Sequence, residues 1–267
     1  MRSDAISRRF EAAAAIVEEA AALAMRMRPL PGIVDATLKG AQDWLTEADG
    51  AVEALVAGRI GALFPEDDFQ GEETGERDRA GAPSSLRWVV DPIDGTANFA
   101  RGRSRWCVSL GLLADGAPAA GLLMAPALGE CFAGMAGDGA TLNGKPIRAA
   151  ETREPASAII EIGWSPKVAA ADFAALVARM MALGAAPRSG GSGALALADV
   201  ACGRLDGYVE LSINLWDVAG ALPILAEAGA LVSPFLRDGG MGRAMPILAA
   251  VPGVAQAMSE ASGLSWN

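Results

Sequence analysis

The chain of 267 residues contains no histidine. That absence removes Ser-His-Asp and Cys-His nucleophilic catalysis, phosphohistidine chemistry and most zinc sites, because each needs an imidazole as base, nucleophile or ligand. Any metal would be held by carboxylate, carbonyl and water oxygens, the hard ligands that suit Mg²⁺, Mn²⁺ or Ca²⁺. Cysteine is scarce too. Cys107, Cys131 and Cys202 are odd in number, widely spaced and flanked by apolar residues, which predicts buried thiols in a reducing cytosol. Positive charge is in deficit, with 22 Lys and Arg against 32 Asp and Glu and a net charge of −10. This argues against sequence-independent nucleic-acid binding, which needs basic surface to displace counterions, and suits an acidic site completed by cations. The longest uncharged run, Ala244 to Ser259, is too short to span a bilayer and is broken by Pro246 and Pro252. Residues Met1 to Phe10 carry an early acid and no apolar core, so they do not read as a signal peptide and a cytoplasmic location is expected.

What is present is an ordinary globular composition, 52% apolar and 20% charged, long enough for one large or two small domains. Ile6, Phe10, Ala13, Val17, Ala20, Ala24 and Met27 recur every three or four residues and predict a helix ended by Pro29 and Pro31. Val52, Leu55, Val56, Ile60 and Leu63 predict a second helix, stopped at Phe64-Pro65. A short strand over Asp67 to Gln70 delivers Gly71-Glu72-Glu73-Thr74, and a polar loop follows to Ser85. Leu86 and Trp88 to Val90 read as a buried strand running into a tight loop, Asp91-Pro-Ile-Asp94-Gly-Thr96.

Three further strands are expected, Trp106 to Leu113, Ala119 to Met124 and Glu130 to Met135. Asp115-Gly116, Asp138-Gly139 and Asn143-Gly144 mark turns of a meandering antiparallel sheet. From about residue 151 strands and helices alternate: strand 158–162, helices 168–183 and 194–202, strand 206–211, helix 217–228, strands 230–233 and 246–250, and a helix after Pro252. No repeat, low-complexity tract or interdomain linker occurs. The halves 1–150 (α+β) and 151–267 (α/β) are therefore expected to pack as a single catalytic unit, 1–267, with a site between them.

Asp49, Glu72, Asp91, Asp94, Thr96 and Asp217 all fall where a helix begins or a strand stops. Several have plainer readings. Thr46-Glu-Ala-Asp49 is a serviceable capping box, Glu72 could be a solvated turn acid, and Asp217 could cap or complement a helix start. Asp91 and Asp94 are harder to dismiss, because two acids flanking Pro-Ile at the end of an apolar strand repel without a cation.

Asp91-Pro-Ile-Asp94-Gly-Thr96-Ala-Asn98-Phe99 resembles the first signature of the inositol monophosphatase family, and Trp216-Asp217-Val-Ala-Gly220-Ala resembles the second. Gly71-Glu72-Glu73 and Asp43-Trp-Leu-Thr46-Glu-Ala-Asp49 match two further motifs in the family's order, and the likeness runs from the first helix to about Ala250. The resemblance implies that Glu72, Asp91 and the carbonyl of Ile93 hold one Mg²⁺ and that Asp91, Asp94 and Asp217 hold a second. A third, weaker ion would lie near Glu72, and Mn²⁺ could substitute. It implies that Asp49 and Thr96, with Glu72, serve the attacking water, and that Gly95 and Thr96 offer amides to the phosphate. Asp94 and Asp217 would also border the substrate, Gly191 and Ser192 would line its pocket, and Glu210 would bond polyol hydroxyls. A layered αβαβα sandwich of the inositol monophosphatase/fructose-1,6-bisphosphatase type follows from the same likeness, with an antiparallel sheet in the first half and a mixed one in the second. So do a homodimer, Li⁺ sensitivity and a small phosphorylated polyol as substrate.

The implied chemistry needs no histidine: cations neutralise the phosphate, acidify a bound water and stabilise the leaving alkoxide. Other phosphoryl chemistries lack their motifs, since no Cys is followed six residues later by Arg and neither Asp-x-Asp-x-Thr nor Gly-x-x-x-x-Gly-Lys-Ser/Thr occurs. Asn214 stands where animal members often carry His, which weakens strict inositol specificity. Inositol 1-phosphate is the leading substrate, histidinol phosphate the nearest rival, and Glu210 favours a polyol over a nucleotide. A regulatory role through protein partners in transcription or ribosomal RNA processing is the alternative of another class; the acidic charge argues against direct RNA contact.

Overall fold

A computed structural model describes residues 2–32, 36–40, 43–77 and 84–266. The middle of the polar loop before Ser85 and parts of the connection ahead of the second helix lie outside these residues. Helix α1 (Arg2–Met27) buries Ala13, Ile16, Val17, Ala20, Ala21 and Ala24 along one stripe. A short antiparallel pair, β1 (Thr37–Gly40) and β2 (Asp43–Leu45), leads into α2 (Glu47–Leu63). The small residues of α1 let α2 pack against it, and both lie on one face of the first sheet.

That sheet begins with β3 (Asp68–Gly71), β4 (Gly75–Arg77) and β5 (Leu86–Asp94). After the short helix α3 (Thr96–Ala100) it continues through β6 (Cys107–Ala114), β7 (Ala117–Ala125), β8 (Glu130–Met135), β9 (Gly139–Leu142) and β10 (Lys145–Pro146). The order is β10-β9-β8-β7-β6-β5-β3-β4. From β5 to β10 it is the expected antiparallel meander, with Asp115-Gly116 and Asn143-Gly144 in the left-handed pairs that tight hairpins require. The expectation fails at one edge. β4 folds back along the outside, so β5 runs in the same direction as β3 and pairs with it in parallel.

The strand carrying the two acids also departs from expectation. It does not stop at Val90 but continues to Asp94, with a bulge: Asp91 faces Ser109 and Asp94 faces Cys107, three steps on β5 against two on β6. In a regular strand, residues three apart point to opposite faces. The extra residue, at Pro92-Ile93, cancels that alternation, and a bulge is where proline is tolerated in a ladder.

The second sheet takes β11 (Ile159–Ile162) and, after α4 (Ala170–Ala182), β12 (Ala186–Arg188). Then come α5 (Gly193–Ala201), β13 (Gly207–Ile213), α6 (Leu215–Ala219), α7 (Ala221–Glu227), β14 (Leu231–Val232), β15 (Met245–Ala250) and α8 (Pro252–Ser262). Its order is β12-β11-β13-β15-β14, parallel across the first three strands and antiparallel across the rest. Helices α5, α6 and α7 fill the space between the two sheets, and α4 and α8 cover the far side. The layers are therefore αβαβα. The helix expected over 217–228 is divided at Gly220 into α6 and α7.

A track of glycines seats that middle layer. Gly111, Gly121 and Gly134 are register partners on β6, β7 and β8. A Cβ on Gly111 would come within 2.6 Å of the Ala219 carbonyl carbon, one on Gly121 within 2.0 Å of the Gly220 oxygen, and one on Gly134 within 2.8 Å of the Ile224 Cα. Backbone therefore lies directly on backbone, which fixes the depth of α6 and of Asp217 on it. Of the three thiols only Cys107 is buried; Cys131, near the start of β8, and Cys202, at the C-terminal end of α5, are half-buried. No helix among the described residues is long and apolar enough to cross a membrane.

Candidate active site

The bulge brings Asp91 and Asp94 to one side of β5, and the glycine track brings Asp217 to meet them. Each offers a carboxylate oxygen, and these oxygens lie within 4.8 Å of one another. Asp91 accepts the Ile93 N–H at 2.9 Å. Asp94 accepts the Ser192 hydroxyl and the N–H groups of Gly193 and Ala194, both at 3.2 Å. Asp217 accepts the Asn214 N–H at 2.8 Å and its side-chain amide at 3.3 Å. The N-cap of α6 is Asn214, so of the two plainer readings of Asp217 it is the first-turn acid that holds, and this leaves Asp217 on the cleft.

Asp49 accepts the Thr46 N–H at 2.8 Å and hydroxyl at 2.6 Å, capping α2. Its other oxygen lies 3.4 Å from Thr96 Oγ, which also donates to the Ile93 carbonyl at 2.9 Å. Gly95 precedes α3 in the left-handed region at φ 89°. A Cβ there would crowd the carbonyls of Arg105 and Gly191, at 3.0 and 3.1 Å. Glu72 stands beside Asp91 outside the tight triad, with Oε2 buried and without a hydrogen-bond partner among the described residues.

Burial and mutual repulsion favour the protonated forms of these acids. Burial first, and then the charge of Glu72, pushes Asp91 well above the usual carboxylate range. Burial and then Asp217 raise Asp94 to about 7. Glu72 is raised strongly by burial and Asp217, and Asp217 and Asp49 are raised by burial. An unpaired buried carboxylate oxygen costs about 1–3 kcal/mol or more. Convergent carboxylates and an orphaned oxygen are what a hard divalent cation fits.

The cluster opens into a cleft of about 330 Å³. Glu72, Asp94, Gly95, Thr96, Gly191, Ser192, Glu210 and Asp217 line it, while Asp49, Asp91 and Ile93 lie behind the wall. Ser192 donates its hydroxyl to Asp94 and, as N-cap of α5, accepts the Leu195 N–H at 3.3 Å. Glu210 is buried and accepts the Tyr208 hydroxyl; burial foremost raises it to about 8.

Sequence reasoning missed Trp44, Glu161, Trp164, Pro166, Ser189 and Tyr208 in the lining. Glu161 carried the same signal as Asp91, an acid inside an apolar strand, and Trp164 follows the end of β11. Glu161 is bridged to Asp199 by Arg105, at 2.8 and 2.7 Å. Asn98 joins α3 to the 190–191 loop through the carbonyls of Arg105, Gly190 and Gly191, at 2.7, 2.9 and 3.2 Å.

Fold and cleft together define a class, the αβαβα proteins with an acid cluster between their sheets. The chain belongs to the inositol monophosphatase family, whose profile matches residues 6–260. It is 34% identical over 232 residues to the Nus factor SuhB of Salmonella typhimurium, covering 85% of each chain. It is 40% identical over 204 residues to inositol monophosphatase 3 of Solanum lycopersicum, covering 73% of this chain and 74% of that one. The solved inositol monophosphatase of Anabaena superposes with a TM-score of 0.80 at 31% identity, over 96% of this chain and 95% of that one. Membership supports phosphatase chemistry at this cleft, and the acidic cluster fits metal binding.

Proposed function

We propose that the chain is a Mg²⁺-dependent phosphomonoesterase acting on a small polyol phosphate, inositol 1-phosphate first. The observation that carries this reading is the convergence of Asp91, Asp94 and Asp217 within 4.8 Å. Glu72, Asp91 and the Ile93 carbonyl would hold one ion and Asp91, Asp94 and Asp217 another, with a weaker third near Glu72. Bound there, the ions supply Lewis acidity toward a water, the phosphate and the leaving alkoxide.

The protein's own groups divide the remaining work. Thr96 Oγ reaches both the Ile93 carbonyl and Asp49 Oδ1; with its proton turned to Asp49, its lone pairs accept from a water, and the proton released by that water passes to Thr96 as Thr96 gives its own to Asp49. Gly95 and Thr96 present amides to phosphate oxygens. Gly191 and Ser192 shape the wall beside the leaving group, and Glu210 accepts from its hydroxyls.

In this reading residues 1–150 and 151–267 act as one cytoplasmic catalytic unit, paired as a homodimer, and Li⁺ inhibits by displacing one ion. Histidinol phosphate is the second reading. It is favoured by the half-exposed Trp164 and by a cleft lining of acids without a basic side chain among the described residues. A regulatory role is the reading of a different class, supported by the name of the Salmonella relative.

Phosphate release with and without Mg²⁺ from inositol 1-phosphate, histidinol phosphate, fructose 1,6-bisphosphate and 3′-phosphoadenosine 5′-phosphate tests these together. Mg²⁺-dependent turnover that is fastest on inositol 1-phosphate is expected. Release that persists in EDTA would falsify the mechanism. A role in transcription that survives Asp94→Asn would place the regulatory function outside catalysis.

A further inference from the structure

Helix α2 carries a second buried acid on the turn after Asp49. Glu53 is 1% exposed, between the core residues Val52 and Val56, where an unpaired charge would be costly. Among the described residues it makes no ion pair. Its Oε2 accepts the Glu73 N–H at 2.8 Å, and its Oε1 accepts the Thr74 N–H at 2.9 Å and the Thr74 hydroxyl at 2.5 Å. The carboxylate also lies flat over Gly71, where a Cβ would come within 2.3 Å of its Cδ. All three donors and the glycine belong to the turn that bears Glu72. On its other side that turn is fixed by the Glu72 N–H donating to the Val90 carbonyl at 3.2 Å.

The turn that bears Glu72 is thus gripped from both sides, while Glu72 Oε2 is buried beside Asp91 with no hydrogen-bond partner among the described residues. We propose that Glu53 is a positioning residue that presents the Glu72 carboxylate to a divalent cation and so sets the affinity of the site. The proposal rests on the metal-dependent reading above. One helix face then serves the site twice, with Asp49 at the water and Glu53, four residues on, behind the metal acid. Glu53 touches neither substrate nor ion. It accepts hydrogen bonds that would otherwise leave the turn free to swing, and groups that support metal ligands in this way typically change affinity by about 10–100-fold.

The test is Glu53→Gln in the full chain, with MgCl₂ and MnCl₂ titrated into metal-free protein by calorimetry and the Mg²⁺ dependence of phosphate release measured in parallel. Glutamine keeps the shape but sets an NH₂ against backbone N–H donors. Cation affinity should fall by about 10-fold or more, and the half-saturating Mg²⁺ for turnover should rise by the same factor. The rate at saturating Mg²⁺ should return to within about 3-fold of wild type.

Asp206→Asn is the control for mere destabilisation. It alters a buried carboxylate of the second sheet that accepts the Ile159 N–H at 2.7 Å, and it should lower the melting temperature without moving the affinity. If Glu53→Gln binds Mg²⁺ as wild type does, or loses no more than the control, the proposal is overturned. Should Glu53→Gln fail to fold, Thr74→Val removes a single donor and should weaken binding about 3-fold; unchanged affinity there overturns it equally. Wild-type protein that binds no Mg²⁺ would instead bring down the proposed function, and this proposal with it.

Discussion

Asp94 and Ser192 are 98 residues apart in the chain and hydrogen-bonded to each other. The contact fastens the end of β5, in the first sheet, to the start of α5 above the second, where the N–H groups of Gly193 and Ala194 join it. Three donors hold the carboxylate in one orientation against the repulsion of Asp217. An acid fixed this way faces its neighbours at no cost in side-chain freedom when an ion arrives.

Asp94→Asn should therefore abolish Mg²⁺-dependent phosphate release, to below about 1% of wild type, while circular dichroism stays native. Ser192→Ala, which keeps the acid and removes one donor, should cost about 10–100-fold, the range for a group that orients a ligand. Equal effects from the two variants would count against separate roles for acid and support.

The glycine track makes a structural prediction. Gly121→Ala places a methyl group about 2 Å from the Gly220 oxygen, and neither partner is a flexible side chain. Destabilisation of about 1–3 kcal/mol is expected, or several degrees in melting temperature at this size. Because α6 carries Asp217, Mg²⁺ affinity should fall as well. A variant with unchanged melting temperature would show that the sheet and helix can part without strain.

Much of this arrangement was legible in the sequence where periodicity or turn chemistry speaks. The stripe of α1, the hairpin at Asn143-Gly144 and the strand from Glu130 to Met135 all stand where expected. The acids that converge had been picked out from element ends. What was not legible depended on partners distant in the chain. The bulge at Pro92-Ile93 exists only against β6, and the parallel pairing of β3 with β5 follows from where β4 settles. Nothing in the sequence singles out Glu53, whose partners come from the Gly71–Thr74 turn about twenty residues on. For Asp49 and Asp217 the sequence offered a helix start or a site, and the geometry has each acid serving its helix start while also facing the cluster or Thr96.

Stability without metal should depend on pH in a defined sense. Burial foremost raises Asp94 to about 7 and Glu210 to about 8, whereas such carboxyls titrate near 4 in an unfolded chain. Between about pH 4 and 8 the folded protein holds protons that the unfolded chain has released, so stability falls as pH rises through that window. The melting temperature of EDTA-treated protein should be higher at pH 6 than at pH 8.5. Saturating Mg²⁺ takes the place of the protons on the acid cluster and should flatten the dependence. A metal-free melting temperature that rises with pH across this interval would contradict the burial of these acids.

Glu210 allows the leaving-group end of the cleft to be tested apart from the metal end. The residue is 8% exposed, takes one hydrogen bond from the Tyr208 hydroxyl and borders the cleft, which leaves acceptor capacity for a substrate hydroxyl. At a pH above about 8, where Glu210 is ionised, a hydrogen bond to a charged acceptor contributes about 1.5–3 kcal/mol, so Glu210→Gln assayed there should raise KM for inositol 1-phosphate by about 10-fold or more. The same variant should leave KM for p-nitrophenyl phosphate, which carries no hydroxyls, near the wild-type value. With kcat within about 3-fold on both esters, the loss would belong to recognition of the alcohol. An equal rise in KM on both substrates would instead assign Glu210 to the shape of the cleft and remove the main support for a polyol over other phosphate esters.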